Sequence, residues 1–330
     1  MIRSVVLMIS SLLLVLGPAR AEEGATVQPG ATVQQGMVAR WDAFPAEECG
    51  IYGIRYPAVE GVCYYPVDLA EDTGRHEIAL WLADGTRHLG YLEVVEGRFA
   101  DVVIELPEDK WNKFVSVSKE NLEQVWENQE ALNKVFALDL AAPEFTLPLD
   151  RPAGSVPAGE DDFGSMREFT ASSAQKPTAN QHKSRHSGRD SPVAAGSVLH
   201  APADGVVSLA EGQFFPGNAV YINHGGGLIS MFFHLDEIRA VTGQPIKRGD
   251  PLGTVGDTGR TTGPHLHIGV RWLNKRIDPA LLFDDPVKLA RVTASGGTEN
   301  EAGGEEPLET GEEAGGDEPL ETGEMVGGRD

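Results

Sequence analysis

Two cysteines in 330 residues are too few for a disulfide-scaffold protein or a thiolate metal centre. Basic residues are scarce too, since 27 Lys and Arg against 50 Asp and Glu leave a net charge of −23. That balance argues against nucleic acid as a partner, because phosphate binding needs clustered Lys and Arg. Long apolar runs are missing as well. The best of them, Val5 to Leu16, falls short of the about twenty residues that a helix needs to cross a bilayer.

That run has another use. Behind Met1-Ile2-Arg3 and ahead of Ala19-Arg20-Ala21 it reads as a signal peptide with an A-x-A cleavage site, so residues 1–21 are expected to be removed and the mature chain to begin at Glu22. No cysteine follows the site to take a lipid anchor. An exported protein, periplasmic or secreted, meets an oxidising compartment, where Cys49 and Cys63 are expected to pair. Closing so short a loop stabilises by about 3 kcal/mol in the chain-entropy model.

Composition then divides the chain. GATVQPGATVQQG repeats itself and is polar, so residues 22–45 read as a linker. Residues 46–117 carry short alternating runs (HEIALWLADG, HLGYLEVVEGRF, ADVVIELPED) with an Asp84-Gly85 hairpin signal, the pattern of a small β-sandwich. Ser118 stands as an N-cap before Leu122, Val125, Trp126, Leu132, Val135 and Phe136, which recur at helical spacing. This predicts an amphipathic linking helix within 118–142, stopped by Pro143. Residues 143–288 return to short apolar runs between glycine turns, a mainly antiparallel β pattern. Residues 289–330 are a tail with a tandem repeat, AGGEEPLETGEE then AGGDEPLETGEM. From Glu299 onward it holds 12 acidic residues and one arginine, too polar to bury a core and expected to stay disordered. It is either an acidic arm for an envelope partner or a solvated appendage.

The chemistry lies in two motifs of the β region. His186 and Asp190 stand four apart in HSGRD, and His265 and His267 flank a leucine in GPHLH. Imidazole with carboxylate suits zinc better than calcium or magnesium, and a catalytic zinc takes three protein ligands and leaves a position open. In a strand, period two puts His265 and His267 on one face, so one can bind metal while the other reaches a water. Of the remaining histidines, His224 in a glycine-rich turn reads as structural, and His76, His88, His200 and His182 lack ligand spacing.

Phe163-Gly164, HSGRD, APADGVV, NAVYINHGGGLISMFFHL, GQPIKRGDPLGTVGDTGRTTGPHLHIGV and DPALLF together resemble, in order, the LytM/lysostaphin-type zinc metallopeptidases of bacterial cell walls. The resemblance implies that His186, Asp190 and His267 bind one zinc per chain, that His265 and His234 are the catalytic histidines, and that the substrate is the cross-linked stem peptide of peptidoglycan. Three positions depart from the pattern. Ser191-Pro192 follow the aspartate, Phe232 stands where tyrosine is common, and Ile268-Gly269 follow HLH. Two readings compete with an endopeptidase: a LytM-like module that activates other wall hydrolases without cutting, and a lipoyl-type barrel, which would need neither histidine motif.

Overall fold

The computed structural model describes residues 28–115, 118–154, 162–171 and 183–294. The expected signal peptide and most of the acidic tail lie outside these residues, as does His182. Among the described residues, no helix is long and apolar enough to cross a membrane.

The chain opens with β1 (Gly30–Gln34), β2 (Val38–Trp41), β3 (Glu48–Ile51), β4 (Ile54–Pro57), β5 (Cys63–Pro66), β6 (Gly74–Trp81) and β7 (Arg87–Val95). Five of these form one sheet in the order β1-β7-β6-β3-β4, and β2 pairs with β5 in another. The Asp84-Gly85 signal falls between β6 and β7, with Gly85 at φ 82°, a left-handed backbone that glycine adopts freely. Cys49 on β3 and Cys63 on β5 form the disulfide, Cα atoms 5.5 Å apart, so the bond ties the two sheets together.

The segment expected to be a linker instead supplies β1 and β2. Low complexity concealed a period of two. In GATVQ, Ala31 and Val33 are buried while Gln34 faces solvent, and the strand pairs in parallel with β7. A second correction concerns the third run assigned to the sandwich. Its residues form β8 (Asp101–Leu106), which leaves that sheet and pairs in parallel with β9 (Met166–Ala171), itself paired with β10 (Lys183–Arg185).

Two helices follow β8. The unforeseen α1 (Glu108–Phe114) sets Phe114 against Phe214, ring centroids 5.2 Å apart. In α2 (Lys119–Val135), Ser118 accepts from the Asn121 amide as the expected N-cap. Its apolar stripe packs less than its spacing suggests: Trp126 is 68 % exposed and Leu122 is exposed, and only Leu132, Val135 and Phe136 reach the protein body, against Tyr221, Ile229 and Met231.

The large sheet is built from β11 (Gly188–Ser191), β12 (Val198–His200), β13 (Gly205–Gln213), β14 (Gly217–Asn223), β15 (Leu228–Ile238), β16 (Pro245–Ile246), β17 (Pro251–Val255), β18 (Leu266–Trp272) and β19 (Lys275–Arg276). Its main path is β11-β18-β15-β14-β13-β16, antiparallel throughout. This answers the expectation of a mainly β fold with antiparallel sheets. β18 lies between β11 and β15, and its apolar residues Leu266, Ile268, Val270 and Trp272 are all buried.

After a 3-10 turn at Pro279–Leu282, the chain returns to the first sheets. β20 (Ala290–Arg291) pairs in parallel with β2, Leu289 and Val292 are buried, and Thr293 exchanges two backbone hydrogen bonds with Gly30. The tail boundary expected at residue 289 therefore falls too early, because two apolar side chains and a strand edge hold residues 289–293 to the fold. The larger of two apolar clusters among the described residues runs from Ala31 through Leu92 and Phe232 to Val292.

Candidate metal centre and groove

The two histidine motifs meet because β11 and β18 are neighbours, with Asp190 directly opposite His267 in the register. His186 precedes β11, and its Nε2 lies 3.0 Å from His267 Nδ1 and 3.3 Å from Asp190 Oδ1, while His267 Nδ1 lies 2.8 Å from Asp190 Oδ1. Ligands on a tetrahedral zinc with bonds of about 2.0–2.1 Å stand about 3.3 Å apart, so the three atoms fit a common ion. Gly188 makes the approach possible. A Cβ there would lie 2.5 Å from His267 Nε2 and from the Ile268 carbonyl.

Arg189, between the two ligands, faces the other way. It makes a buried bidentate pair with Asp278 of DPALLF, both contacts 2.6 Å, and Asp278 also accepts from the Ala280 amide. Removing one partner of such a pair costs about 3–5 kcal/mol, so this contact pins the strand that carries Asp190.

Two residues without a motif complete the surround. Asp162 accepts from His186 Nδ1, Oδ1 at 3.0 Å, and from the Asp190 amide, which fixes the His186 tautomer so that Nε2 presents a lone pair. Arg167 on β9 bridges the carboxylates, 2.6 Å to Asp162 and 2.8 Å to Asp190. Sequence reading singled out Phe163-Gly164 and passed over the aspartate beside them.

The other two histidines flank the cluster. His265 Nε2 is 3.4 Å from Asp190 Oδ1, and its Nδ1 donates to the Gly263 carbonyl at 2.9 Å, near Thr261 Oγ1. His234 donates from Nδ1 to the Thr258 carbonyl at 2.8 Å, and its ring stands 4.8 Å from that of His265. His234 has φ 64°, a left-handed backbone that costs a non-glycine residue on the order of 1–2 kcal/mol. The regular β15–β18 pairing ends one residue earlier, at Phe233 opposite His267, and the His234 amide bonds to Pro216 instead. Strain at such a break re-aims a side chain, here into the groove.

Electrostatics separates these groups. Burial works against the Asp190 charge, yet the imidazoles of His186, His265 and His267 crowded on it hold its carboxyl far below the usual range. Burial and the neighbouring imidazoles push His234 down to about 3, so it is neutral at physiological pH. His224 is different in kind. Fully buried, it bonds the Asp204 carbonyl at 2.6 Å and Ser230 Oγ at 2.8 Å, away from the groove. His76, His88 and His200 also stand apart from the cluster, His88 stacked on Phe44.

The cluster opens into a cavity of about 240 Å³ lined also by Ile104 and Leu106 of β8, Arg185, Phe215, Arg260 and Thr262. Among the described residues His186, Asp190 and His267 form the one group able to hold a metal ion, a site in the floor of a groove. That arrangement is a candidate metal centre on a β scaffold. Residues 184–279 match the model of Peptidase family M23, and the chain carries a domain of that family.

Over 91 residues it is 42 % identical to peptidoglycan DD-endopeptidase ShyC of Vibrio cholerae, covering 28 % of this chain and 21 % of that protein. Over 94 residues it is 36 % identical to DD-carboxypeptidase/endopeptidase Mpg of Neisseria meningitidis, covering 28 % and 22 %. The match thus spans about a fifth of the length of these curated relatives. A crystal structure described as an M23 peptidase from Pseudomonas aeruginosa aligns over 76 % of this chain and 94 % of its own, with TM-score 0.54 and 27 % identity.

Proposed function

We propose that the protein is a zinc-dependent endopeptidase that hydrolyses peptide cross-links of bacterial peptidoglycan outside the cytoplasm. The observation that carries this reading is the convergence of His186, Asp190 and His267 on one point, with His265 and His234 beside it at the groove wall. The donor set fits zinc in kind, two imidazoles and a carboxylate with an outer carboxylate behind the first. When bound there, the ion supplies Lewis acidity, polarising a carbonyl and acidifying water.

The remaining chemistry belongs to the side chains. With Nδ1–H committed to the Gly263 carbonyl, neutral His265 presents a lone pair at Nε2, the form that takes a proton from the attacking water and returns it to the leaving amine. His234, committed in the same way to Thr258, presents Nε2 as an acceptor that orients the water. Once protonated, His265 donates to the developing oxyanion. A regulatory module that cuts nothing would need none of these five side chains.

The test is metal analysis together with digestion of purified peptidoglycan. Protein prepared without added zinc is expected to hold close to one equivalent, and His186→Ala or Asp190→Ala to lose it along with all cleavage. Full zinc retention by both variants, or an intact metal site that releases no peptide product identifiable by mass spectrometry, would defeat the reading.

A further inference from the structure

Arg260 follows the Gly259 turn on the groove wall, with its guanidinium 4.4 Å from the centroid of Phe169 and 5.0 Å from that of Phe215. Its backbone amide donates to the Phe215 carbonyl at 2.9 Å, which fixes the turn. The space is tight, for a Cβ on Gly259 would lie 2.4 Å from the Gly217 amide nitrogen. Among the described residues, no carboxylate or carbonyl accepts a hydrogen bond from this guanidinium. The acids of the groove are taken: Asp162 and Asp190 pair with Arg167 and the histidines. Arg185 bonds the Gly164 carbonyl at 2.8 Å and also lacks an acidic partner in the groove.

A half-buried arginine flanked by two rings and lining a cavity is a group prepared for an anion. In a chain of net charge −23 the local excess of positive charge in this groove is not a general property of the surface. Burial and the nearby Arg167 lower the Arg260 pKa to about 10, as expected for a cation with no counter-ion beside it, and it stays charged at physiological pH.

We propose that Arg260 is a specificity determinant that binds a free carboxylate of the stem peptide beside the scissile amide, forming a bidentate pair when substrate enters. The proposal deepens the reading of the site as a peptidoglycan endopeptidase and rests on it. Its consequence is a choice between substrates. Stem peptides carry free carboxylates next to their cross-links, whereas the interior of a glycine bridge carries none, so the groove selects direct stem cross-links. The planar guanidinium matches a carboxylate with two parallel N–H donors, and the flanking rings hold it in that plane.

The test compares two cross-linked muropeptides that differ only in whether the carboxyl beside the scissile bond is free or amidated. The zinc-loaded, full-length protein is used. The expected result is that kcat/KM favours the free acid by about 10- to 100-fold, the range for a hydrogen-bonded pair involving charge. Arg260→Gln should lose that factor on the free acid and little on the amide, and Arg260→Lys should recover part of it, with zinc content and Tm unchanged. Should the glutamine variant fail to fold, the preference of the unmutated protein decides alone. Equal cleavage of both substrates by the unmutated protein overturns the proposal and leaves the endopeptidase standing. Cleavage of neither by zinc-replete protein defeats the endopeptidase reading, and the proposal falls with it.

Discussion

His224 and the groove histidines sit in the same large sheet, yet they are satisfied in opposite ways. Each nitrogen of His224 has a fixed partner, the Asp204 carbonyl and Ser230 Oγ, and none of the ring meets solvent. Burial holds it neutral, its pKa pushed down to about 4. In the groove, His186, His265 and His267 instead crowd one carboxylate oxygen of Asp190, and each keeps a nitrogen committed to the cluster. One arrangement is a closed hydrogen-bond circuit that stabilises the fold, while the other gathers three imidazoles on one carboxylate oxygen in the floor of a groove. Substitutions should therefore separate into those that cost activity and those that cost stability.

The largest expected effect lies in the groove. His265→Ala should lower kcat by about 10²- to 10⁴-fold, the usual contribution of a positioned acid–base group. Zinc content should hold, because His186, Asp190 and His267 remain, and Tm should move little, because His265 is partly exposed. Loss of metal in this variant would mean that His265 and His267 have exchanged roles.

His224→Ala should do the reverse. Deleting a fully buried ring leaves a cavity and strands the Ser230 hydroxyl, at a cost of about 2–4 kcal/mol. Turnover per folded molecule should stay near that of the parent. The pH dependence has a definite sign. The unfolded state takes up its proton near pH 6.5 and the folded state only near 4, so the unfolded state binds more protons between these values. Stability from His224 is present above about pH 6.5 and is lost as pH falls towards 4, which thermal melts across that window would show. A substitution of His224 that keeps the fold should flatten the slope, and an unchanged slope would place the proton elsewhere.

The sequence made one half of this contrast readable. HxxxD and HLH disclosed the candidate ligands because a strand's period of two and a four-residue spacing are local facts. The glycine-rich NHGGG turn allowed His224 to be read as structural. Asp162 and Arg167 were not legible, since their roles exist only after β9 is brought beside β11, and neither stands in a motif that its chemistry requires. Arg260 lay within a quoted motif, but only Phe169 and Phe215, far apart in the chain, give it meaning. The strand in GATVQ was hidden by repetition, and the stripe of α2 overstated burial, because helical spacing says which residues share a face and not whether anything covers it.

The smallest expected effect belongs to the acidic tail, which should matter to neither half. Residues beyond Ala294 follow the last contact between Thr293 and Gly30, and their composition offers neither imidazole to the site nor apolar surface to the core. Truncation after Ala294 should leave Tm and cleavage of soluble muropeptides unchanged, although association with intact sacculi should shift with salt if the charge acts at a distance. Truncation after Pro286 provides the contrast. It removes β20 and the buried Leu289 and Val292, each worth about 1.5–3 kcal/mol, and leaves β2 without its parallel neighbour. That cut should lower Tm sharply while the groove chemistry stays intact in whatever fraction folds. Equal stability of the two truncations would mean that β20 contributes nothing to the core. A loss of cleavage in the longer one would mean that the tail reaches the groove, the one place where it could join the residues that act.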